Sequence, residues 1–238
     1  MKPRTSKLLL LALCLPLAAV SAMAQMDLYD NGPINGQSNA WTINFGFAVS
    51  DSVCCRVPGG PPVIQNITNM SFGAWLVPGD ELSTLSVEVM FSSAPFGGGD
   101  AYFDQFVNFT ASGCNGNTFG FNYCTENSAA FSATVPTGPD PYWVTLQNAS
   151  VPSGNPVYWD ENSGVGCQGS GGGMNCPSQA QENTVGTIPS EAFTIFGTQS
   201  SSTSTSTTST GTTPEPSSVL LFATSILALV GGIRRRLG

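Results

Sequence analysis

Apolar positions recur every second residue over residues 41–50: Trp41, Ile43, Phe45, Phe47 and Val49 alternate with Thr42, Asn44, Gly46, Ala48 and Ser50. Successive side chains of a strand point to opposite faces, so the pattern predicts one strand across all of 41–50 with a buried face. Leu85, Val87, Val89 and Phe91 repeat the pattern against Ser86, Glu88, Met90 and Ser92. Phe103, Val107 and Phe109 share a face that Gln105 interrupts, Val144 and Leu146 continue the period, and Phe193 and Ile195 mark a last strand. Between these runs stand VPGGPPV, VPGD, PFGGGD and VPTGPDP, clusters of the residues that turns require. The body shows no run with a helical period. Many short strands with turn-rich spacers predict an all-β domain, an antiparallel β-sandwich of jelly-roll or lectin-like type, over residues 25–197.

Both ends of the chain break this pattern. Lys2, Arg4 and Lys7 precede an apolar run from Leu8 to Val20 and an Ala22-Met23-Ala24 site, the order of a secretory signal peptide over 1–24. From Thr198 to Thr213 the chain is nearly pure Ser and Thr, a composition that buries too little to offset its ordering entropy and reads as a linker. Then come Pro214-Glu215-Pro216, an apolar run from Val219 to Ile233, and Arg234-Arg235-Arg236. The prolines hold Glu215 in extended backbone. With Ser217 and Ser218 the run would form roughly 25 Å of transmembrane helix, marginal for a ~30 Å hydrocarbon core. The arginines favour the cytoplasmic side.

This tail resembles the PEP-CTERM sorting signal of exported bacterial proteins, with Thr213 where that family usually has Val. The same C-terminal signature is catalogued on some ice-binding proteins. The resemblance implies cleavage near Pro214-Glu215-Pro216 by an exosortase-type membrane protease. It also implies transient anchoring in the inner membrane through the C-terminal helix, and delivery to the cell surface or extracellular matrix. The segments LYDNGPING, AWTINFGFAVSDS, FGAWLVPGD, YFDQFVNFT, PVYWDENSG and GTIPSEAFTIFG also resemble a group of PEP-CTERM proteins to which no activity attaches.

Charge narrows the partners. Residues 25–213 carry 14 of the 15 acids, one of the seven bases (Arg56) and no histidine. Such a surface has nothing with which to neutralise phosphates, which excludes a nucleic-acid partner. Lack of histidine removes Ser-His and Cys-His catalysis. Cysteines in an exported chain read as disulfides, and we pair Cys114 with Cys124 and Cys167 with Cys176 across their turn-rich loops, leaving Cys54 and Cys55 undecided. Loop carboxylates at Asp27, Asp30, Asp160 and Glu161 suit a structural Ca²⁺, although no calcium-loop motif accompanies them. In Tyr142-Trp143 and Tyr158-Trp159 a strand turns one member of each pair outward, which makes Trp143 and Trp159 candidates for stacking a glycan. The reading is an exported structural or adhesive protein of the envelope or extracellular polysaccharide matrix, without catalysis. Its rivals are a carbohydrate-binding module and a glycan-cleaving enzyme that uses paired carboxylates.

Overall fold

The computed structural model describes residues 26–53, 63–137, 140–162 and 178–201. The signal at 1–24, residues 202–213, the tail at 214–238 and Cys54, Cys55, Cys167 and Cys176 lie outside the described residues. Among the described residues no helix is long and apolar enough to cross a membrane.

The strands are β1 (Met26–Asp30), β2 (Ala40–Thr42), β3 (Ala48–Val53), β4 (Val63–Leu76), β5 (Leu85–Ala94), β6 (Gly98–Gly116), β7 (Asn122–Ser128), β8 (Ala133–Thr137), β9 (Tyr142–Ser150), β10 (Val157–Asp160), β11 (Ala180–Glu182), β12 (Gly186–Ile188) and β13 (Phe193–Ser201). All their pairings are antiparallel, and they form one curled sheet, a half-barrel, in the order β1-β13-β4-β7-β6-β5-β9-β3-β11-β12. The all-β, antiparallel expectation therefore holds.

The strand with the most partners is β4. One of its edges takes β13 and then β10, and the other takes β8 and then β7. Its period-two signal is hidden in the sequence because a bulge at Thr68 shifts the register, so that Ile67 and Met70 both face inward. Within β5 the alternation is regular, and Leu85, Val87, Val89 and Phe91 are all buried. β13 extends to Ser201, so the start of the Ser/Thr tract belongs to the ladder, with Thr198 opposite Asn66 and Ser201 opposite Val63. Backbone pairing needs no apolar side chain, and threonine suits a strand.

The expected single strand over 41–50 is broken. Phe45 (φ 58°) and Gly46 (φ 89°) take left-handed backbone, and the Phe47 amide donates to the Asn44 carbonyl at 3.1 Å, which makes a turn between β2 and β3. Asn183 braces it, donating from Nδ2 to the Gly46 carbonyl at 3.0 Å. Phe45 is consequently 67% exposed, whereas Ile43 and Val49 remain in the core.

Aromatic contacts organise that core. Phe72 meets Phe109 edge-on at 5.1 Å and Trp159 at 6.1 Å, and Trp159 meets Phe193 at 5.6 Å. Trp159 also donates its indole N–H to the Ala192 carbonyl at 3.0 Å. Trp159→Ala should cost about 3–5 kcal/mol of unfolding free energy, read as a lower urea midpoint at unchanged slope.

The half-barrel is closed by polar groups. Asp51 occupies an inward position of β3, between Val49 and Val53, and is fully buried. Its Oδ2 accepts from Asn31 Nδ2 at 3.1 Å, the Glu191 amide at 2.8 Å and the Ser190 hydroxyl at 3.3 Å. Asn31 Nδ2 also donates to Ser190 Oγ and the Glu191 carbonyl, both at 2.7 Å, while its Oδ1 accepts from the Tyr29 hydroxyl at 2.8 Å. Asn162 donates to Ser190 Oγ at 3.0 Å, and Ser178 hydrogen-bonds Ser190. Burial raises the Asp51 pKa to about 7 against these donors. Glu191, whose carboxyl oxygens are buried without partners, is held well above the usual range by burial and then by Asp51, Glu161 and Asp160.

Glu126 is a separate case. It stands opposite Phe72 and Ala111, fully buried and with neither carboxyl oxygen hydrogen-bonded, and burial pushes its pKa up to about 7. The folded state binds this proton more tightly than the unfolded chain. The resulting stability is fully present below about pH 4.5 and is lost as pH rises to about 7. A rise of 2.5 pKa units corresponds to about 3 kcal/mol over that window. Urea midpoints measured across pH 4.5–7.5 should therefore fall less steeply in Glu126→Gln than in the parent chain.

Candidate functional site

The solvent face of β10, β4 and β7 carries a row of aromatic residues set by strand register. Tyr158 lies opposite Trp75, and Trp75 lies opposite Tyr123. Directly opposed residues of antiparallel strands share a face, so the three rings stand side by side. The tip of the β6–β7 hairpin folds back over this row. Asn117 Oδ1 accepts the amides of Phe119 and Phe121 at 3.0 Å each, which curls the tip. Phe119 then stacks on Trp75 at 5.3 Å and 22°, and Phe121 meets Tyr158 at 5.3 Å. The base of the hairpin is tied by the Cys114–Cys124 disulfide, the pairing expected from the sequence. Trp75 is buried beneath this shelf, whereas Phe119 remains 56% exposed.

A loop over residues 31–38 crosses the same face. Asp160, two residues after Tyr158 and therefore on its side of the strand, fixes the loop in place. Its Oδ1 accepts the Trp75 indole N–H at 2.5 Å, and its Oδ2 accepts the amides of Asn35 at 2.8 Å and Gly36 at 3.3 Å. The loop can approach so closely because β4 has Gly73 there: a Cβ would lie 2.8 Å from Ile34 and 2.9 Å from the Asp160 Cβ. Between loop and sheet is a cleft of about 420 Å³ whose lining includes Asp30, Pro33, Ile34, Ser71, Thr125 and Thr194. Gly73 and Thr125 are paired one step along the strands from the Trp75–Tyr123 pair on the same face, so the cleft adjoins the aromatic shelf.

Trp143 and Trp159 are not on this face. Trp159 is 0% exposed and enclosed by Phe72 and Phe193, so it offers no surface to a sugar. Its neighbour Tyr158 is the outward member of that pair. Trp143 and Tyr142 are both buried, contrary to the expectation that one would face outward. Tyr142 points into the core, and the Pro95–Gly97 turn packs over β3 and β9 on the Trp143 side, where the Phe96 amide donates to Ser50 Oγ at 2.8 Å.

The four carboxylates assigned to calcium do not converge either. Asp160 is taken up by the Trp75 indole and by the Asn35 and Gly36 amides of the loop. Glu161 points the opposite way, and its Oε1 accepts from Trp41 Nε1 at 2.8 Å and Asn39 Nδ2 at 3.2 Å. Asp30 caps its own loop, accepting the Gly32 amide at 2.9 Å, and Asp27 lies on β1 opposite Phe196. Among the described residues no group of three acid, cysteine or histidine side chains is placed to hold a metal. Burial raises the Asp160 pKa, opposed by the Asn35, Gly36 and Trp75 donors.

Sequence reasoning missed Phe119, Phe121 and the Ser71–Thr125–Thr194 floor. The hairpin tip lacks the alternation that marks a strand, and the floor residues are small and polar. Asp51 did leave a signal, an acid in an apolar register between Val49 and Val53. Chemically, the face offers apolar rings beside hydroxyl groups and one carboxylate, a set that holds ligands with flat apolar faces and polar edges. Comparison with protein-family models, curated proteins and solved structures finds no match to this chain.

Proposed function

We propose that this is an exported, surface-sorted protein with a structural or adhesive role in the envelope or the extracellular polysaccharide matrix. The observation that carries the reading is the order of three features in the tail: Pro214-Glu215-Pro216, the apolar run from Val219 to Ile233, and Arg234-Arg235-Arg236. Prolines around Glu215 keep a strand-like segment open to a protease, and a short helix with a basic stop holds the chain at the inner membrane meanwhile. An exosortase-type protease is the processing partner in this scheme. The acidic, histidine-free body fits a protein that stays soluble outside the cell and needs no catalytic base. A lectin-like sandwich, the finer form of the all-β fold, would suit adhesion equally.

The processed protein recovered from the cell surface should end close to Pro214 in intact-mass spectrometry. Recovery of the surface form with Arg234-Arg235-Arg236 still attached would replace sorting with permanent anchoring.

A further inference from the structure

We infer that the solvent face of β10, β4 and β7 is a binding platform for a neutral polysaccharide. Sugar rings stack on Phe119, Phe121 and Tyr158, and hydroxyl groups reach Ser71, Thr125, Thr194 and Asp30. The source of the polysaccharide, the extracellular matrix, rests on the function proposed above. The binding chemistry rests on the geometry alone.

Three observations converge on this ligand. The first is the exposure of Phe119 at the tip of a cross-linked hairpin. Its ring is supported from below by Trp75, which also meets Phe121, and Phe121 in turn meets Tyr158. A ring so held is a rigid plane that loses little entropy when a ligand covers it, and the C–H faces of a pyranose match such a plane. The second is the adjoining cleft. Ser71, Thr125 and Thr194 each offer a hydroxyl able to donate or accept, and Asp30 offers an acceptor, complementing the hydroxyl edges of a sugar. The loop that walls the cleft is fixed by Asp160 and by the close approach at Gly73, so the site is pre-formed.

The third is charge. With 14 acids and one base over residues 25–213, the body repels uronate and other anionic polymers. Among the described residues no basic side chain lines the cleft to pair with a carboxylate or sulfate group, and the one charged side chain in its lining is Asp30. A neutral chain meets no such penalty.

The test is affinity electrophoresis of the full chain in mild detergent, through native gels containing hydroxyethylcellulose, dextran or alginate. Retardation by at least one of the two neutral polymers, and none by alginate, is the expected result. Phe119→Ala combined with Tyr158→Ala should weaken the retarding affinity by about tenfold or more, from the loss of two stacking planes. Phe45→Ala, which removes an exposed ring at the β2–β3 turn, should leave it unchanged. Because Tyr158 is half-buried, Phe119→Ala alone is run beside the double variant with thermal melts of both. The single variant should keep the parent melting temperature and still lose affinity.

Absence of retardation in both neutral gels overturns the inference, as does retardation indifferent to Phe119→Ala. Equal retardation by alginate overturns its charge argument. Self-association of the parent chain that Phe119→Ala abolishes would assign the shelf to a second copy instead. None of these outcomes depends on where the C-terminus is cut, so the platform and the sorting proposal stand or fall separately.

Discussion

The half-barrel depends on a carboxylate placed where an apolar side chain would be expected. Asp51 lies in the inward register of β3, and a buried acid without partners costs several kcal/mol. Here one of its oxygens takes three donors, from Asn31, Ser190 and the Glu191 backbone. These three positions belong to the chain just after β1 and just before β13, whereas Asp51 lies near the far end of the strand order. No backbone ladder joins β1 to β3. Side-chain hydrogen bonds do the joining, which makes the closure specific to these residues in a way that a ladder would not be. The network is only partly satisfied, since Asp51 Oδ1 and both Glu191 carboxyl oxygens are buried without partners, but the bonds to Asp51 Oδ2 tie the closure to this one arrangement.

Asp160 plays a comparable part on the opposite face. As neighbours on an extended chain, Asp160 and Glu161 point to opposite sides of the sheet, and each accepts an indole N–H, from Trp75 and Trp41 respectively. These acids serve as hydrogen-bond acceptors that organise their surroundings. Through the amides of Asn35 and Gly36, Asp160 also determines where the 31–38 loop lies and hence the shape of the cleft.

The strand β5 was legible because one of its faces is continuously apolar, through Leu85, Val87, Val89 and Phe91, and β6, β9 and β13 because apolar residues recur at alternate positions over part of each. The sequence was a weaker guide where backbone conformation overrode side-chain pattern. Phe45 and Gly46 reverse the chain within an otherwise regular alternation, and the bulge at Thr68 conceals β4. The candidate site was legible only in outline. Aromatic pairs pointed to β9 and β10, but which ring reaches solvent depends on what packs over each strand, and that is decided by distant segments: the Pro95–Gly97 turn over β9 and the hairpin tip over β4. The Cys114–Cys124 pairing could be read because a turn lies between the two residues and needs no distant partner.

The disulfide at the base of that hairpin gives the shelf a dependence on compartment. Thiols stay reduced in the cytosol and oxidise outside it. A chain still inside the cell would carry Phe119 and Phe121 on a tip whose two strands lack their covalent tie. For a chain exported as proposed above, the covalent brace of this hairpin would form only once the protein reaches an oxidising compartment.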